Sequence, residues 1–69
     1  RSHPQRRAAR RRCAVAAAML VNKVSKTKDR ALQARVRREL AALRTAGAFR
    51  YRDVPFKSLI RLFALRKEA

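Results

Sequence analysis

The chain has 69 residues, a mass of 7.9 kDa and a formal net charge of +16, from 20 Lys plus Arg against 4 Asp plus Glu. That length allows one small domain, and chains of this size bury little core and often rely on a staple or a partner. A single cysteine rules out a disulfide within the sequence, and a charge surplus this large repels itself in a compact state unless a polyanion neutralises it.

The first predicted element is an Arg/Ala-rich helix or arm over residues 1–24, helical from about Gln5 to Lys23. Arg1 to Lys28 carries nine basic residues and no acid. Ala8, Ala9, Ala14, Ala16, Ala17 and Ala18 favour helix, and Pro4 suits a first turn. Arg6, Arg7, Arg10, Arg11 and Arg12 spread charge over more than one face, so the segment is expected to be ordered by phosphates and by apolar contacts at Val15, Met19 and Leu20. Its composition also resembles that of organellar transit peptides, and a first residue of Arg suggests a processed chain or a fragment. The expectation is a retained basic segment. The apolar run Cys13 to Val21 is far short of the ~20 residues that cross a bilayer.

The second element is a helix over about 28–45. Ser25 or Thr27 is the expected cap, with Asp29 favourable at the positive end of the helix dipole. Leu32, Val36, Leu40 and Leu43 make one apolar stripe. Arg30, Arg37 and Arg44 recur every seven residues on another face, widened by Arg35 and Arg38. Gly47 marks the stop.

Residues 47–54 form a connector in which Phe49, Arg50, Tyr51 and Arg52 alternate aromatic and basic. The alternation fits a short extended stretch. The aromatics either stack on unpaired bases between phosphate-bound arginines or cover the open end of the helices. The third element is a helix over about 55–67, with Asp53 as the expected cap and Pro55 in the first turn. Phe56, Leu59, Ile60 and Phe63 fall at helical spacing and are expected to pack on Leu32, Val36, Leu40 and Leu43. The fold class is all-α: two amphipathic helices forming a hairpin over residues 25–69, plus the N-terminal helix or arm ordered by RNA.

Catalytic and metal chemistry find little material here. His3 and Cys13 are the only histidine and cysteine, too few for a self-contained zinc site. There is no glycine-rich phosphate loop, because Gly47 stands alone. The expectation is a non-enzyme with no cofactor, no metal, no small-molecule substrate and no transmembrane segment. Arg outnumbers Lys by 15 to 5. The guanidinium fork suits phosphate, although Arg and Ala also share GC-rich codons.

Two stretches carry a resemblance. Val36-Arg37-Arg38-Glu39-Leu40-Ala41-Ala42-Leu43-Arg44-Thr45 is similar to the last helix of a large-subunit ribosomal protein. Phe56-Lys57-Ser58-Leu59-Ile60-Arg61-Leu62-Phe63-Ala64-Leu65-Arg66 looks like the closing helix of a small-subunit ribosomal protein. The resemblance is to small basic ribosomal proteins, first of all of an organellar, mitochondrial ribosome, with a cytoplasmic or plastid ribosome as the alternatives, and it leaves the subunit open. It implies a structural constituent of a ribosome whose partners are rRNA and neighbouring ribosomal proteins. The expected RNA-binding residues are Arg6, Arg7, Arg10, Arg11, Arg12, Arg30, Arg37, Arg38, Arg44, Arg50, Tyr51 and Arg52. The alternatives are a DNA-packaging, chromatin-like protein and a basic accessory subunit of an organellar membrane complex. Burying the eight apolar side chains of the second and third helices gains less than ordering roughly 35 helical residues costs, so the isolated chain is expected to be partly unfolded at low salt.

Overall fold

A computed structural model describes residues 4–68 of the chain. Three α-helices and one 3-10 turn follow in order: α1 (Pro4–Val24), α2 (Arg30–Thr45), the turn (Tyr51–Asp53) and α3 (Phe56–Ala64). Among the described residues there is no strand, so the protein is all-helical.

The 21 residues of α1 make a helix about 31 Å long at 1.5 Å per residue, in a molecule whose longest extent is 41 Å. It is also the packing centre: α2, the 3-10 turn and α3 each make their main contacts with it. Its buried face is Ala14, Ala17, Ala18, Val21 and Val24. These positions recur at helical spacing, and all five join Val36, Leu40, Phe49, Val54, Leu62 and Leu65 in one core. Small side chains let neighbouring backbones approach closely, since the distance between helix axes is set by the residues at the contact.

This packing differs from the expected one in two respects. Val15, Met19 and Leu20, the predicted apolar contacts of the first helix, are exposed. Val15 and Leu20 lie to either side of the buried face and Met19 lies opposite it, and the alanine face is the one that points inward. The eight-residue interface between the second and third helices is not formed as expected either. Leu43, Phe56, Ile60 and Phe63 are exposed, because α1 takes the inner face of α3, from which Ser58 and Leu62 are buried.

The helix ends explain the connections. Ser25 Oγ donates to the Asn22 carbonyl at 3.0 Å and Thr27 Oγ1 to the Val24 carbonyl at 2.9 Å. Both expected caps of α2 therefore terminate α1 instead. The cap of α2 is Asp29, whose Oδ1 accepts the Leu32 N–H at 3.0 Å. At the other end Gly47 has φ +85°, a backbone conformation that costs a side-chain-bearing residue energy. Ala48 N–H donates to the Leu43 carbonyl at 2.9 Å and Gly47 N–H to the Arg44 carbonyl at 3.0 Å. That pair of bonds is the Schellman arrangement.

Helix α3 is shorter than predicted. Pro55 occupies its N-cap position with no side-chain hydrogen bond, and Asp53, two residues further out, ends the 3-10 turn. The helix closes at Ala64 because Leu65 turns to an extended backbone and buries its side chain in the core. The freed carbonyls are taken by a residue from α2. Arg37 Nη1 donates to the carbonyls of Leu62, Phe63 and Leu65 at 3.1, 2.8 and 2.9 Å. A cation there also suits the negative end of the α3 dipole.

Two amides join the elements further. Asn22 Oδ1 accepts from Ser58 Oγ at 3.0 Å and from Arg61 Nη1 at 2.9 Å, tying α1 to α3. Gln33 Nε2 donates to the carbonyls of Val24 and Thr27, while its Oε1 accepts the Arg66 N–H. Gln33 thereby holds the α1–α2 loop and the C-terminal segment to α2. Among the described residues no buried side-chain polar atom lacks a partner.

Candidate nucleic-acid interface

The strongest concentration of charge lies where the buried face of α1 runs out of alanine. Arg7, Arg10 and Arg11 precede Ala14 by seven, four and three residues, so they continue its face beyond the core. Opposite them stands the segment after α2. Phe49, with 1% of its surface exposed, anchors this segment in the core. Arg50 follows in an extended conformation, and the 3-10 turn then folds Arg52 and Asp53 toward α1. The result is a cleft of about 290 Å³ lined by Arg7, Arg10, Arg11, Arg50, Arg52 and Asp53. Five guanidinium groups from two elements surround it with one carboxylate among them. Such a site concentrates anions, and each guanidinium presents a fork that matches two phosphate oxygens.

On the other side of Arg50 and Arg52 lies a broader, shallow hollow of about 560 Å³, lined also by Arg44, Thr45, Gly47, Phe49 and Tyr51. Tyr51 is half-buried and sits in an aromatic cluster. Its ring lies edge-on to Phe63 at 5.4 Å and tilted to Phe49 at 6.1 Å. The Arg44 guanidinium carbon lies over the Tyr51 ring, 4.8 Å from its centroid, within cation–π range. Of the two readings of the aromatics, Phe49 takes the packing role. Tyr51 packs as well, and Arg44 covers its ring.

The remaining predicted binding residues are more scattered. Arg6, Arg12 and Arg38 are exposed but do not line the cleft. Arg30 lines a separate hollow with Thr27, Lys28, Gln33 and Arg66. Arg37 is placed differently from its expected phosphate-facing position: it is half-buried, with Nη1 engaged by the α3 carbonyls. Sequence reasoning gave Asn22 and Gln33 no role, and it placed Arg61 and Arg66 only on the basic side of the third helix, with Arg66 near the negative end of its dipole. Asn22 directly follows the apolar run ending at Val21, and that polar break was its one visible signal.

Other chemistries leave less trace. Cys13 is half-buried beside Ala16, Ala17, Leu20, Leu40 and Leu43. His3, the other residue of the zinc reading, lies outside the described residues. Among the described residues no three His, Cys, Asp or Glu side chains gather as a metal site, and no helix is long and apolar enough to cross a membrane. No protein-family model matches the chain, and no curated protein or solved structure matches it.

Proposed function

We propose that this protein is a non-enzymatic structural constituent of a ribosome, in the mitochondrion, which binds rRNA through arginine–phosphate contacts and packs on neighbouring ribosomal proteins. The observation that carries the RNA-binding part is the cleft in which Arg7, Arg10 and Arg11 of α1 meet Arg50 and Arg52. Arginines from two distant parts of the chain converge there on one cleft. Exposed Phe56, Ile60 and Phe63 on one side of α3 support a protein neighbour, since exposed apolar patches commonly mark contact surfaces. Bound RNA would also stabilise the folded chain by mass action, offsetting its self-repulsion.

The test is a salt titration of RNA affinity. Each neutralised phosphate contributes roughly −0.7 to −0.9 to the slope of log affinity against log salt. Replacing both Arg7 and Arg11 by Gln is expected to flatten the slope by about 1.5. A salt-insensitive affinity rejects the mechanism. The ribosomal setting has its own measurement: the protein is expected to sediment with one ribosomal subunit after a high-salt wash, and not with chromatin or membranes.

A further inference from the structure

We infer that the site takes an unpaired nucleotide of RNA, with its phosphate in the arginine cleft and its base stacked on the outer side of the Arg44 guanidinium. The inference rests on the RNA-binding reading above and specifies which RNA element is bound.

Three observations carry it. First, the phosphate cleft and the broader hollow share Arg50 and Arg52 as lining residues, so the two spaces adjoin. A single nucleotide, whose phosphate and base point in different directions from one sugar, can occupy both. Second, Tyr51 lines the hollow together with Arg44, Arg50 and Arg52, and aromatic beside basic side chains is the combination that holds single-stranded nucleic acid. Third, Tyr51 is braced by Phe49 and Phe63 and carries Arg44 over its ring. A free arginine side chain is mobile, and holding its planar group over a ring removes much of the ordering cost of stacking. Arg44 is itself exposed, and arginine planes are regular stacking partners of splayed-out RNA bases. Tyr51 is thus a positioning residue and Arg44 the base-contacting one. A base in a regular duplex is stacked between its neighbours and cannot enter, so the arrangement selects bulges, loops or single strands.

The experiment compares two fluorescently labelled RNAs by anisotropy at fixed salt, using the full chain. One is a blunt duplex, and the other is the same duplex with one bulged adenosine. The bulged RNA is expected to bind about tenfold more tightly, the scale of one base stack. Arg44→Lys retains the charge and loses the plane, so it should abolish the preference for the bulged RNA. Tyr51→Leu, which removes the ring beneath Arg44, should weaken the preference in the same direction. Circular dichroism identifies any loss of helix in either variant. Equal, salt-dependent affinity for the two RNAs overturns the nucleotide site and leaves the phosphate reading standing. A preference that survives Arg44→Lys also overturns it. Failure of both RNAs to bind at low salt overturns the RNA-binding reading and the inference with it.

Discussion

Helix α1 buries alanines, whereas α3 leaves two phenylalanines and an isoleucine in solvent. Ala14 is 0% exposed and Phe56 is 75% exposed. Per residue, the phenylalanine has much more apolar area to gain from burial. The difference shows that residue size alone does not decide which face turns inward. Alanine's advantage is collective: a continuous small-residue face lets α2, the 3-10 turn and α3 all approach one helix. The large side chains that fill the spaces beside it, Phe49 and Leu62, come from the connector and the inner side of α3. The outer side of α3, with Phe56, Ile60 and Phe63, stays exposed.

The contrast is sharpest between two residues of one type. Phe49→Ala should cost roughly 3–5 kcal/mol, because it removes a fully buried ring and leaves a cavity. Phe56→Ala should change stability by no more than about 0.5 kcal/mol. Denaturant midpoints measured at moderate salt, where charge repulsion is screened, compare the two directly. Equal effects would mean that the outer side of α3 is part of the core.

Overpacking tests α1 from the other direction. Ala14→Leu adds volume where there is none to spare and should destabilise by about 1–3 kcal/mol. Met19→Ser, one turn further along on an exposed face, should stay within about 0.5 kcal/mol. A neutral Ala14→Leu would show that the helices do not approach closely at that point.

The C-terminal end of α3 offers the third comparison, between adjacent arginines. Arg37→Met deletes the donor shared by three carbonyls and should cost about 2 kcal/mol, within the range for hydrogen bonds to charged groups. Arg38→Met removes an exposed side chain and should fall within about 0.5 kcal/mol. Thermal melts suffice, since 1 kcal/mol shifts the midpoint of a domain this small by roughly 4–8 °C.

Much of the local structure was legible in advance. Alanine content and the apolar stripe mark α1 and α2, Gly47 marks the end of α2, and Pro55 lies one residue before α3. Cap assignments were less readable. Ser25, Thr27 and Asp29 can all cap a helix, and what separates them is which backbone groups lie within reach once α1 has ended. The α3 boundary was missed for a related reason. The residues up to Lys67 have ordinary helix propensity, but Leu65 gains more by leaving the helix for the core, and Arg37 supplies the hydrogen bonds that the exit costs.

The sequence by itself determined the helical character, the basic charge and the near-absence of catalytic material, because these depend on composition and short-range periodicity. The tertiary structure alone decided which arginines lie together. Arg7, Arg10 and Arg11 are drawn toward Arg50 and Arg52 by the burial of Ala14 and Phe49 beside them, while Arg37, on the same sequence repeat as Arg44, is turned inward to close α3. Charge is a property of residues, but a binding site is a property of distances, and those are set by the packing around α1.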